Sequence, residues 1–217
     1  MVGTGGDSRP PTGYGIVGGV DRFVGVDVGA PRKGFDVAVL EGAEVVEIRS
    51  GQDAVDVARV VAAAGAPVAG IDSPAGCAPP GEKSRAGERE LAREVCPIFF
   101  TPDEEVVRSG HSFYGWMEHG LDLYDLLARS CPGTTCVEVF PSAAWTVIAG
   151  PREGRPKPQW SRAALELAGV RGLPARSSQD CRDAAGAALV AQLHHRGLTV
   201  DYGGIAVPRR GAVAFPG

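Results

Sequence analysis

Residues 22–50 carry three β-type segments in close succession, and this run constrains the fold more than any other part of the chain. RFVGVDV (22–28) mixes β-branched and aromatic side chains around Gly25, as a buried strand does. GFDVAVLE (34–41) and EVVEIRS (44–50) alternate apolar and polar residues on either side of a Gly42-Ala43 turn. Period-2 alternation flanking a glycine turn predicts a hairpin, and the three runs together predict an antiparallel meander.

The period then changes. Val55, Val57, Ala58, Val61 and Ala62 suit one face of a helix over 51–64, ended by Gly65. PVAGID (67–72) is a short apolar strand reached through a helical crossover, so it should run parallel to its neighbour. Helices are expected over 84–95 and 113–129, a strand over 135–140 stopped by Pro141, and helices near 160–169 and 178–196. The order βββ-α-β-α-α-β-α-α reads as α/β with a mixed sheet. Residues 1–20, rich in Gly and Pro, read as a flexible leader without the apolar core of a secretory signal. The reading is one domain over 21–200, followed by an irregular tail over 201–217.

Composition limits the function classes. The chain has 217 residues, 44% of them hydrophobic, enough for one buried core. No apolar run is long enough for a membrane span. The five cysteines are odd in number and form no CxxC pair, so free thiols in a reducing cytoplasm are expected rather than disulfides or a zinc site. The net charge of −4 disfavours a long non-specific nucleic-acid footprint. It leaves room for a nuclease, whose active-site carboxylates add to the acid count.

Four acids sit in unusual places. Asp27 follows the apolar run FVGV, Asp72 follows VAGI, Glu138 lies inside TCVEVF, and Asp183 lies near the start of the last helix, with Asp180 one turn earlier. An acid within an apolar strand is costly unless paired or metal-bound. Asp27 and Asp72 on adjacent parallel strands would emerge at one sheet edge, where α/β sites form. Divalent cations would hold such carboxylates together, and hard oxygen ligands suit Mg²⁺ or Mn²⁺. Two such ions can clamp the attacking water and the leaving oxygen of a phosphodiester. Each acid also has an ordinary explanation. Asp27 and Asp72 fit turns, Glu138 fits a pair with an arginine, and Asp183 fits a helix dipole. Ser177-x-x-Asp180 is spaced like a capping box.

Lys157 and Arg162, after the last strand, are candidate phosphate contacts, and Arg85 is a candidate cleft residue. A solvated loop and a charged helix face are the plainer readings of these three. His111 and His119 offer acid–base groups without an identifiable partner, and Trp116, Trp145 and Trp160 read as core or cover.

VGVDVG with its following hairpin, GIDSPAG, EVFPSAAW and the late segment DCRDAAGAALVA together resemble an uncharacterised bacterial family of predicted ribonuclease H-like (RNase H-like) nucleases, over about residues 22–196. The last segment also resembles the final helix of Holliday-junction resolvases of that fold. The resemblance implies a mixed five-stranded sheet of order 3-2-1-4-5, strand 2 antiparallel, with helices on both faces. It places Asp27 on strand 1, Asp72 on strand 4, Glu138 on strand 5 and Asp183 on the last helix. It implies a nuclease that uses Mg²⁺ or Mn²⁺ and takes nucleic acid as substrate. The candidate metal ligands are Asp27, Asp72, Glu138, Asp183 and Asp180, of which Glu138 on strand 5 departs from the fold's usual ligand position. A second departure stands out: the first helix carries Asp53 and Asp56 where the fold's namesakes carry a Glu.

Two other readings remain open. The first is a non-catalytic nucleic-acid-binding or regulatory module on the same fold. The second is an ATP- or phosphate-binding protein of actin or sugar-kinase type, which shares the strand–Asp-Gly–strand element but needs a second phosphate loop. A homodimer is compatible with the sequence.

Overall fold

The computed structural model describes residues 21–212; the expected leader over 1–20 lies outside them, as does the end of the expected tail. The meander forms as expected from β1 (Arg22–Val28), β2 (Phe35–Glu41) and β3 (Glu44–Gln52). Helix α1 (Ala54–Ala64) starts where the Asp53 carboxylate accepts the Asp56 amide and stops at Gly65, whose φ of 59° needs a residue without a Cβ. Asp53 is thus a cap, and Asp56 pairs with Arg59 at 2.6 Å. Strand β4 (Val68–Asp72) follows, then α2 (Ala86–Glu94), the short α3 (Glu104–Val107), α4 (Gly115–Ser130) and β5 (Thr135–Val139).

Pro141 does more than end β5. It occupies the first turn of α5 (Pro141–Ala149), where its missing N–H costs no hydrogen bond. This helix was not expected from the sequence. Helices α6 (Lys157–Leu167) and α7 (Gln179–His195) complete the helical part.

The strand order is β3-β2-β1-β4-β5-β7-β6, with β2 antiparallel to β1 and β4 parallel to it. The first five strands keep the expected order. The expectation of five strands and an irregular tail is corrected: β6 (Thr199–Tyr202) and β7 (Ile205–Pro208) form a hairpin that extends the sheet to seven. The Ile205, Ala206 and Val207 side chains are buried, and two left-handed glycines, Gly203 and Gly204, make the turn. β7 pairs with β5, which satisfies an edge that would otherwise be open.

Two helical layers cover the sheet. Val24, Val26 and Val28 pack with α1 and α4, together with Phe35, Val37 and Val39. Phe23, Ala38 and Leu40, of opposite parity, pack with α5, α6 and α7. Helix α7 is buried nearly all round, from Cys181 to Leu193. It lies unusually close to the sheet because Gly25 and Gly70 are registered neighbours on β1 and β4. A Cβ on Gly25 would sit 2.0 Å from the Ala184 carbonyl oxygen, and one on Gly70 would sit 2.3 Å from that of Ala187. Among the described residues, no helix is long and apolar enough to cross a membrane.

Candidate metal centre

Asp27 ends up on the α7 face of the sheet, two residues beyond Gly25, and Asp72 follows Gly70 in the same way. The close seating of α7 brings the first turns of that helix against both strands. Carboxylate oxygens of Asp27, Asp72 and Asp183 lie within 4.8 Å of one another. Asp27 and Asp183 are buried and Asp72 is partly buried. Three carboxylates from three elements thus converge at the carboxyl ends of two parallel strands.

Fixed donors hold Asp183. The Trp145 indole N–H donates to its Oδ1 at 3.3 Å, Gln179 donates to the same oxygen at 2.9 Å, and Lys157 Nζ donates to Oδ2 at 2.9 Å. Lys157 was expected to contact phosphate; it lines the site and pairs with an acid. Trp145 is fully buried and packs against Gly186, where any Cβ would meet the ring at 2.2 Å. Of the two places expected for Trp145, core or cover, it takes the core, and its polar contact with Asp183 depends on α5, which no local sequence signal announces.

A second group, Asp27, Asp36 and Asp180, shares Asp27 with the first. Asp36 was also missed. It faces Asp27 directly across the β1–β2 pair, and the symmetry of the hairpin register is the signal that would have found it. Lys33, in the turn between those strands, lies 2.8 Å from Asp180 and 3.8 Å from Asp27. Asp180 is therefore not part of a capping box; the cap of α7 is Ser178, whose hydroxyl accepts the Cys181 amide at 3.0 Å.

Glu138, expected as a metal ligand, is not among the three aspartates that converge. Strand parity is the reason. Val137 and Val139 face α7, whereas Glu138 pairs in register with Ile71 and faces the α4 side. Both of its oxygens are occupied there. Arg85 clamps them in a bidentate pair, and the Ala75 amide donates at 2.8 Å. Arg85 also reaches the fully buried Glu88 at 2.9 Å, so this cleft candidate is anchored to two acids. Arg162 is exposed and donates to the Ala175 carbonyl at 2.8 Å. His111 caps the Phe113 amide, and His119 contacts the Gly29 carbonyl at 2.9 Å, so neither histidine joins the acidic groups. All five cysteines are free.

The electrostatics follow from this crowding. Burial, then repulsion from Asp183 and Asp180, pushes the Asp27 carboxyl up to about 7, with Lys33 opposing the shift. Burial, then repulsion from Asp27 and Asp183, holds Asp72 well above the usual carboxylate range. Burial disfavours the charged form of Lys157, but the adjoining Asp183 outweighs it and raises that amine's affinity for its proton. Without a cation the site is one of mutual repulsion. An all-oxygen donor set of this kind fits a hard divalent ion, and neutralisation by such an ion would let all three acids ionise.

No protein-family model matches the chain, and no curated protein matches it. It is similar to a solved structure of Thermus thermophilus RuvC, with 16% identity, 81% of this chain and 96% of that chain covered, and a TM-score of 0.43.

Proposed function

We propose that this protein is a divalent-metal-dependent nuclease that hydrolyses phosphodiester bonds of nucleic acid. One observation carries the reading: Asp27, Asp72 and Asp183, from β1, β4 and α7, present oxygens within 4.8 Å of one another. Nothing in the packing of a core requires three buried or half-buried acids at one point, and their repulsion costs stability unless a cation is bound.

In this reading Asp27, Asp72 and Asp183 hold Mg²⁺ or Mn²⁺. Such an ion supplies Lewis acidity toward a phosphoryl oxygen and charge stabilisation at the leaving oxygen. The chain's own residues do the rest. Trp145 and Gln179 both donate to Asp183 Oδ1 and so fix the orientation of that carboxylate. Lys157 places an ammonium beside the same carboxylate, where a phosphate oxygen would also be attracted. Lys33 offsets the excess negative charge of Asp27 and Asp180. Glu138 acts at one remove, by securing Arg85 and the loop after β4.

The test is incubation of the purified protein with labelled single-stranded, duplex, hybrid and branched nucleic acids in Mg²⁺, Mn²⁺ or EDTA. Asp27→Asn keeps the shape and removes the charge. Metal-dependent cutting that this variant loses is the expected result. Absence of cutting on every substrate, together with absence of metal binding, would refute the reading.

A further inference from the structure

Phe99 is 68% exposed, and Phe100 and Phe113 are each nearly half exposed. Water-facing phenylalanines at this density are unusual on a surface without a partner. Phe99 and Phe113 meet edge to face with ring centroids 5.8 Å apart, so Phe99 is steadied by a second ring while most of its surface stays exposed.

Phe99 also lies at the junction of two hollows. One is small and includes Asp72, Arg85 and Trp116. The other is an open groove of about 610 Å³, lined by Ile98, Phe99, Phe140, Trp160, Arg152 and Lys157 among others. Its volume is in the range of ligand clefts, on the order of 300–1,000 Å³. Its lining holds two cations and no carboxylate, although the whole chain carries a net charge of −4. Lys157 is common to the groove and the acidic site, because its ammonium bonds Asp183. Lys157 thus links the carboxylates to an apolar trough whose lining also holds Arg152.

We infer that this groove binds an unpaired nucleic-acid strand, with a base stacked on Phe99 and the backbone phosphates near Lys157 and Arg152. The chemistry selects this occupant. A flat ring at an open edge takes the face of any base, and the flanking cations take the phosphodiester. A base within a duplex has no free face to offer. The inference rests on the proposed nuclease reading and narrows its substrate to strands that are single or locally unpaired beside the cut.

The experiment measures fluorescence anisotropy of a labelled single-stranded oligonucleotide and of the same sequence as duplex. It uses the full chain carrying Asp27→Asn, with Mg²⁺ present, so that no strand is consumed. The single strand should bind more tightly than the duplex, and affinity should fall with added salt. Phe99→Ala should weaken single-strand binding about tenfold, Phe99→Trp should restore it, and Arg152→Glu should weaken it and flatten its salt dependence. Phe99 and Arg152 are exposed, so these variants should keep the thermal stability of the parent. Equal binding of single strand and duplex, or an unchanged affinity in Phe99→Ala, would overturn the inference. So would a Phe99→Ala effect confined to self-association, measured by sedimentation. Because binding is read without cleavage, a strand that binds through Phe99 but is never cut by the wild type would count against the nuclease reading alone.

Discussion

Asp27 and Asp72 occupy registered positions on neighbouring parallel strands, each two residues beyond a glycine that lets α7 approach. The pairs Gly25–Gly70 and Asp27–Asp72 form two successive rungs of one face. The first rung admits the helix backbone, and the second meets its acid, Asp183. Packing and chemistry are thereby coupled: the contact that buries the core is the one that assembles the carboxylates.

Relief of repulsion should be visible as stability. In EDTA, Asp72→Asn should raise the melting temperature of the protein by several degrees, since about 1 kcal/mol corresponds to roughly 2–4 °C in a domain of this size. The same variant should abolish stabilisation by Mn²⁺. Differential scanning fluorimetry with and without the ion reads both effects, and a melting temperature that drops in EDTA would contradict the account.

The raised Asp27 pKa sets a direction with pH. Its folded value of about 7 exceeds the ordinary 3.8, so the folded state holds the proton more tightly. The resulting stability is fully present below about pH 4 and is lost as pH rises through 7, amounting to at most about 4 kcal/mol. Without metal, wild type should therefore lose stability relative to Asp27→Asn across that window. Metal affinity should change the opposite way and fall about tenfold per unit below pH 7 for each proton displaced. Denaturant titrations and calorimetry at several pH values would measure the two trends; parallel stability curves for wild type and variant would disprove the first.

Trp145→Phe removes the indole N–H from Asp183 Oδ1 and keeps an aromatic ring in place. Loss of a hydrogen bond that orients a ligand carboxylate commonly weakens metal binding on the order of 10–100-fold. Titration calorimetry with Mn²⁺ should show this loss at unchanged stoichiometry. An affinity equal to wild type would assign Trp145 to packing alone.

Glu138 and Arg85 should behave as a structural pair. Arg85→Ala leaves a buried carboxylate without its cation and should cost about 3–5 kcal/mol. Glu138→Gln should keep the metal stoichiometry of wild type, in contrast to Asp72→Asn. A lost metal site in Glu138→Gln would return this residue to the ligand set.

Gly25→Ala tests the coupling of packing and site directly. The added methyl meets backbone atoms of α7 at 2.0 and 2.1 Å, which cannot yield as a flexible side chain would. A destabilisation of at least about 3 kcal/mol in urea is expected, with weaker Mn²⁺ binding in whatever remains folded. A variant as stable as wild type would mean that α7 can move away from the sheet at little cost.

Local chemistry made much of this protein legible in its sequence. β-branched and aromatic content foretold β1, period-2 alternation about a glycine turn foretold β2 and β3, and the change of period after residue 50 foretold α1 and the crossover to β4, because each signal spans only a few consecutive residues. The apolar settings of Asp27 and Asp72 marked them as unusual before any fold was known. Contacts between distant segments settled the remainder. Glu138 looked like its fellow acids, yet one step of strand parity turned it to the other face and into the grip of Arg85. Asp36 and Lys33 entered the site through hairpin register, and Trp145 through a helix that Pro141 begins rather than blocks. The tail became β6 and β7 because β5 offered an unpaired edge, a fact absent from residues 199–208 themselves. Sequence determined which side chains were available and the local shape of most segments. Tertiary structure decided which carboxylates meet, since that depends on which face each strand presents and how closely α7 can lie.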